Sequence, residues 1–155
     1  MEIDIRQATL EDIPYISSLF RDTIVHINSK DYSENQIRVW SSGANDIDKW
    51  EERIKNAYFI VAEHRDTIVG FAYLTKGYYF EGLFVHKDFQ HKGVGTHLMR
   101  IIESKVISEG FEIIKSDVSI SALQFFENQY YDVEKKQIKN FKGMNFENYL
   151  MSKEL

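Results

Sequence analysis

Two glycines one residue apart, Gly93 and Gly95, stand between the apolar run Leu83-Phe84-Val85 and an apolar-periodic stretch that begins at Val94. At a strand-to-helix turn, such glycines let backbone N–H groups converge on one point at a helix N-terminus, where the helix supplies the equivalent of about half a positive charge. That arrangement holds an anion, and Thr96 adds a hydroxyl, so a phosphorylated ligand is the expected guest. Glycine at a strand-to-helix turn is equally an ordinary turn device, and the pattern alone leaves that reading open. The stretch lacks the four-residue insert and Gly-Lys-Ser/Thr of a P-loop, and it lacks the third glycine and early position of a dinucleotide fold. His86, His91 and His97 lie around the loop without metal-ligand spacing, and no Ser-His-Asp grouping is legible, so no metal is expected.

The elements that must position this loop follow from the hydrophobic pattern. Ile3 and Ile5 alternate with polar neighbours in a short strand that stops at Thr9, an N-cap with Asp12 three residues on in the manner of a capping box. Ile13, Ile16, Leu19, Phe20, Thr23, Ile24 and Ile27 recur at three-and-four spacing, which predicts one helix over about 10–28. Two short helices, joined near Ser41-Ser42-Gly43, are expected between Asn28 and Ala57. Residues 57–62 and 68–74 form a hairpin across His64-Arg65-Asp66-Thr67, followed by a strand over 80–85 and a polar loop over 86–92. A helix from about Val94, with Val94, Leu98, Ile101, Ile102 and Val106 on one face, ends at Gly110. A buried-looking strand over 113–118, a short helix over 122–129, and two strands over 131–138 and 144–151 complete a mixed α/β layer fold.

Composition narrows the partners. The 155 residues are the size of one domain, 1–155, and the formal charge of -5 gives no global field for nucleic acid or an anionic membrane. No apolar run approaches the ~18 residues a bilayer-spanning helix needs. The absence of cysteine removes disulfides, thiolate zinc sites and a thiol nucleophile, and fits a reducing cytoplasm, the expected location.

Gln90-His91-Lys92-Gly93-Val94-Gly95 resembles the Gln/Arg-x-x-Gly-x-Gly/Ala signature of the GCN5-related N-acetyltransferases (GNAT), placed directly after a strand ending Leu-Phe-Val. Ser119-Ile120-Ser121-Ala122-Leu123-Gln124-Phe125-Phe126-Glu127 is similar to that family's later Asn-x-x-Ala-x-x-Phe-Tyr-Glu segment. Asp31-Tyr32-Ser33 with Gln36 and Trp40, and the closing Lys142-Gly143-Met144-Asn145-Phe146, are similar to a bacterial subgroup of small acetyltransferases. The resemblance implies a mostly antiparallel twisted sheet of about seven strands, helices on both faces, and a V-shaped gap between the fourth and fifth strands. It implies acetyl-CoA as co-substrate, with the backbone of His91, Lys92, Gly93, Val94, Gly95 and Thr96 on the pyrophosphate and Gln90 shaping the loop. By the same resemblance, Leu83, Phe84 and Val85 pair through their backbone with the pantetheine arm and give the acetyl oxygen an N–H donor. Ser119, Ala122, Phe125 and Phe126 then line the arm's other side, and Tyr32, Gln36 and Trp40 shape the acceptor site. A homodimer is compatible with the family.

Three positions depart from that pattern. Phe126 stands where many relatives carry a Tyr general acid, which leaves water or Tyr130 as the proton source. Ser119 replaces an Asn. Tyr130-Tyr131 replaces Gly-Phe, so that turn is built without glycine. An amine of pKa ~10.4 costs about 4 to 5 kcal/mol to supply in neutral form at pH 7, so a general base is expected. Glu81 is the leading candidate: it precedes Leu83 by two, which places both on one face of the strand, and many relatives carry an acid near it. Asp31, Glu34 and His26 are further candidates, and the acids would suit a cationic acceptor. The expected activity is transfer of acetyl to a primary amine of a small molecule by direct attack in a ternary complex. A non-catalytic acyl-CoA sensor and a protein or peptide acetyltransferase are the alternatives.

Overall fold

The computed structural model describes residues 1–155. β1 (Asp4–Gln7) leads into α1 (Ile13–His26), α2 (Glu34–Ser41) and α3 (Ile47–Asn56). β2 (Tyr58–His64), β3 (Thr67–Thr75) and β4 (Tyr79–Val85) follow, then α4 (Val94–Ser108), β5 (Ile113–Ser119), α5 (Leu123–Asn128), β6 (Asp132–Phe141) and β7 (Met144–Glu154). The seven strands form one sheet in the order β1-β2-β3-β4-β5-β7-β6, antiparallel except at β4–β5. No helix is long and apolar enough to cross a membrane.

Each face of the sheet carries its own core. Ile60, Ala62, Ala72, Leu74 and Phe80 meet Val94, Leu98, Met99, Ile102 and Val106 of α4, with Phe126 of α5 beside them. On the opposite face Phe59, Phe71 and Tyr73 meet Ile16, Phe20 and Ile24 of α1 and Trp50 of α3, all buried. Alternation along β2 and β3 divides these residues between two layers, as period-2 side-chain geometry requires. The strand expected to be buried over 113–118 is instead half-buried: Ile114, Ser116 and Val118 are covered while Ile113 is exposed. On the layer opposite α4, α1 and α3 pack on β2 to β4 and α2 reaches β7.

The first helix also differs from the single run expected over 10–28. Leu10–Asp12 and Asn28–Lys30 are separate turns of 3-10 helix flanking α1. Asp12 causes the first break, since its carboxylate accepts the Thr9 N–H at 2.8 Å and two bonds from the Arg6 guanidinium at 2.8 and 2.9 Å. Those bonds clamp α1 to β1, and the guanidinium holds the Asp12 carboxyl below the usual carboxylate range.

Two helix ends show the same motif with different residues. After α4, Gly110 takes φ 89°, its N–H reaches Ile107 O at 3.0 Å and the Phe111 N–H reaches Val106 O at 3.2 Å. After α5, Tyr130 takes φ 71°, with Tyr130 N–H to Glu127 O at 3.0 Å and Tyr131 N–H to Phe126 O at 3.1 Å. The turn expected to manage without glycine does so by holding an L-residue in the left-handed region, at a cost of about 1 to 2 kcal/mol. Tyr130 is 79% exposed and contributes little packing in return. Tyr130→Gly is therefore expected to raise the melting temperature by about 2 °C, the relief exceeding glycine's extra unfolded-state entropy. A calorimetric scan showing a lower melting temperature would contradict this reading of the turn.

Candidate active site

β4 and β5 touch at one end and part along the rest of their length. Tyr79 and Lys115 are their one registered pair, supported by Lys115 N–H to Tyr78 O at 3.0 Å and Ser116 Oγ to Phe80 O at 2.7 Å. Beyond that point the strands enclose a cavity of about 880 Å³, lined by both strands, the loop after β4, α4, α5, and the helices of the opposite layer. The size suits an elongated ligand together with a smaller one.

The loop after β4 leaves a run of backbone donors free. No backbone N–H from Gln90 to Thr96 has a hydrogen-bond partner in the protein; the first bond of α4 is His97 N–H to Gly93 O at 3.0 Å. His91 and Gly93 take φ 58° and 86°, and left-handed residues at alternate positions turn successive N–H groups toward one concavity. Gly93 has nothing within 4 Å of where a Cβ would stand, so conformation, not space, requires glycine there. Gln90 holds the loop through its side-chain amide, which donates to Val85 O at 2.7 Å. The Thr23 hydroxyl donates to the same carbonyl at 2.9 Å. Val85 therefore has only its N–H to offer a ligand, a narrower role than the backbone pairing expected of it.

Of the expected site residues, Leu83, Phe84, Val85, Gln90, His91, Gly93, Val94, Gly95, Thr96, Ser119, Ala122, Phe125 and Phe126 line this cavity, as do Glu81, Tyr32 and Trp40. Lys92 is exposed and is not part of the lining, although its ammonium lies over the ring of Phe89, which is. Gln36 is also outside it. Its amide accepts the Ser33 N–H at 2.8 Å and donates to Asn145 O at 2.8 Å, so the side chain is spent on capping α2 and tying it to β7. The Tyr32 hydroxyl accepts the Ile120 N–H at 3.0 Å and donates to Glu147 O at 2.8 Å, and its ring stacks edge-on against Trp40. Tyr130 lies on the exposed turn after α5 and is not part of the cavity lining. Phe126 is buried against Phe80 and Tyr131. Asp31 and Glu34 are exposed and line nothing in the cavity.

Glu81 occupies a different face from the one expected. Tyr73 pairs with Gly82 and Leu74 with Phe80, which leaves Glu81 as the unpaired residue of a β-bulge. The bulge interrupts the alternation, so Phe80 and Leu83, three residues apart, both pack on the α4 side. Gly82 lies under Tyr73, where a Cβ would come within 2.1 Å of the ring. Glu81 thus sits at a kink beside Tyr73, facing the cavity from the side of α1 to α3. Burial raises the Tyr73 phenol above its ordinary range, with nearby Arg53 opposing and Glu81 reinforcing the rise.

Tyr73 and Arg53 are cavity residues that the sequence pattern did not single out. Their segments carried only strand alternation and helix polarity. Ser121 Oγ and Asn148 Oδ1 also line the cavity, buried and without hydrogen-bond partners.

A seven-stranded sheet split between a parallel pair, with free N–H groups at the mouth of the split, is the frame of an acyl-CoA enzyme. The model of the acetyltransferase (GNAT) domain matches residues 28–153, more than half of the chain. The chain belongs to the GNAT acetyltransferase family. It is 29% identical over 150 residues to the uncharacterized N-acetyltransferase YafP of Escherichia coli K12, covering 96% of this chain and 94% of that one. A GCN5-related N-acetyltransferase from Rhodopseudomonas palustris, also described as a class-II aminotransferase, is 28% identical with a TM-score of 0.97 over 100% of this chain and 97% of that one. The PaiA N-acetyltransferase of Thermoplasma acidophilum, solved with coenzyme A, shares the fold with a TM-score of 0.79 at 19% identity, each chain covered in full. The expected family, fold class and acetyltransferase activity are thereby borne out, and no group of three or more metal-ligating side chains is present.

Proposed function

We propose that residues 1–155 form one cytoplasmic N-acetyltransferase domain that moves acetyl from acetyl-CoA to a primary amine of a small molecule by direct attack. The run of unpartnered N–H groups from Gln90 to Thr96, at the mouth of the β4–β5 split, carries the reading. They suit a pyrophosphate, whose oxygens accept many N–H donors at a helix N-terminus. The split suits an extended arm bonded to strand backbone, and the residues across it, Ala122, Phe125 and Phe126, suit that arm's apolar portion.

Chemistry would proceed where the β4–β5 split meets the part of the cavity lined by Glu81 and Tyr73. Glu81, on its bulge, takes a proton from the incoming ammonium directly or through water, leaving a nitrogen lone pair to attack the thioester carbonyl. A β4 backbone N–H steadies the developing oxyanion. As the C–S bond breaks and the thiolate leaves with the bonding pair, the nitrogen sheds its second surplus proton to water in the cleft, leaving the neutral amide. Phe126 has no proton to give the thiolate, so solvent in the open cleft supplies one. Phe126→Tyr should accordingly change turnover by less than about threefold, or raise it. A loss of a hundredfold with acetyl-CoA binding intact would show that the apolar ring edge itself is required.

The ternary-complex order is tested by initial rates over a grid of acetyl-CoA and amine concentrations. Intersecting double-reciprocal lines are expected. Parallel lines, together with an acetylated protein seen by mass spectrometry in the absence of amine, would overturn direct attack.

A further inference from the structure

At the acceptor end of the cavity the charges do not balance. Asp117 accepts from Gln137 Nε2 at 2.6 Å and faces Lys139 Nζ at 3.8 Å, Glu147 is paired with Lys136 at 2.6 Å, and Asp46 caps α3 through the Lys49 N–H at 3.2 Å. Glu81 alone among the lining carboxylates has no ion pair or hydrogen bond. Of the cations, Lys49 pairs with Glu52 at 3.3 Å and Lys87 with Asp88 at 3.4 Å. Arg53 and Lys30 line the same cavity with no hydrogen-bonded or ionic partner, and Lys142 reaches only the Ser42 hydroxyl, at 3.3 Å.

Arg53 is also held in place without being satisfied. Its guanidinium lies 4.8 Å from the Trp50 ring centroid and 5.4 Å from that of Tyr73, and both rings are buried. The guanidinium rests on two aromatic rings while every N–H remains free, which leaves its fork available to a two-oxygen anion. The alternative, a purely structural cation on aromatic faces, leaves the free N–H groups of a cavity-lining guanidinium and the unpaired Lys30 of the same lining without a role.

Resting on the amine-transfer reading above, we infer that the acceptor is a primary amine that also carries a carboxylate, an amino acid, with Arg53 as its carboxylate anchor and Glu81 at its nitrogen. This replaces the cationic acceptor suggested by Asp31, Glu34 and Glu81, since only the last of these faces the cavity. A diamine or aminoglycoside would bring a second ammonium among Arg53, Lys30 and Lys142, where like charge opposes it. An amino acid instead finds an opposite charge for each of its ends.

The test is acetylation of amino acids of increasing chain length, each compared with its carboxamide and its decarboxylated amine, with 1,4-diaminobutane as the dicationic control. The parent should prefer the carboxylate form at least tenfold in kcat/KM. Arg53→Gln should raise KM for the carboxylate form roughly 10- to 100-fold, so that its preference over the carboxamide disappears. Arg53→Lys, which keeps the charge and the stem over Trp50, should restore part of it. A parent that prefers the carboxamide or the diamine, or an Arg53→Gln protein that loses all forms equally, would overturn the inference. If no amine is turned over, the acetyl-transfer reading fails by itself. The anchor is then decided by calorimetry of an N-acetyl amino acid against its amide on the CoA-loaded protein, where equal or absent binding overturns it.

Discussion

Gly95→Glu is expected to lower the affinity for acetyl-CoA by about a hundredfold or more while the circular dichroism spectrum stays native. A Cβ at Gly95 would stand 3.4 Å from Phe125 Cζ and 3.5 Å from Val85 Cγ2, ordinary contact distances, so the backbone does not forbid a side chain there. An acid in the first turn of α4 also favours the helix itself. The damage is therefore to the ligand. The carboxylate occupies the concavity formed by the free N–H groups, satisfies some of them, and repels the phosphates they would otherwise hold. Gly95→Ala separates bulk from charge and should bind within a few fold of the parent. Micromolar binding retained by a folded Gly95→Glu protein would mean that the phosphates are held elsewhere.

For Glu81→Gln, turnover at neutral pH should fall by roughly two orders of magnitude with acetyl-CoA affinity little changed. General base catalysis contributes about 10² to 10⁴ in rate, whereas alignment of amine and thioester can supply about 7 to 11 kcal/mol and survives the change. The near-isosteric amide also leaves the bulge in place, since the backbone and Gly82 beneath Tyr73 create it. As pH rises the deficit should shrink, because more of the amine arrives already neutral. Rates of both proteins from about pH 6 to 10 check this, and parallel profiles would remove Glu81 from proton transfer.

The order of elements and the anion loop were legible in the sequence because each rests on a local signal. Val94, Leu98, Ile102 and Val106 mark α4 by spacing alone, and the glycine pair is read as more than a turn device because of the Gln-x-x-Gly-x-Gly pattern around it. The acceptor side was far less legible. Glu81 was read by simple alternation, and the bulge that turns it toward Tyr73 arises from pairing with a different strand, which no local period reports. Gln36 was read beside Tyr32 and Trp40 as shaping the acceptor site; Tyr32 and Trp40 line the cavity, whereas the Gln36 amide is bonded to Asn145, and the Tyr32 hydroxyl to Ile120 and Glu147, partners more than 80 residues away that no local pattern reports. Arg53 carried no signal at all. On a polar helix it resembles any surface cation, and only the fold shows that its guanidinium lies over two buried rings at the edge of the cavity.

Release of free CoA thiol from acetyl-CoA, measured beside the mass of the amine product, tests the acetyl-transfer account most directly. One thiol should appear for each N-acetyl amine formed, and none in the absence of amine. Tight acetyl-CoA binding with no thiol release across amino acids, small amines, aminoglycosides and peptides would contradict it and leave a cleft that binds the thioester without using it.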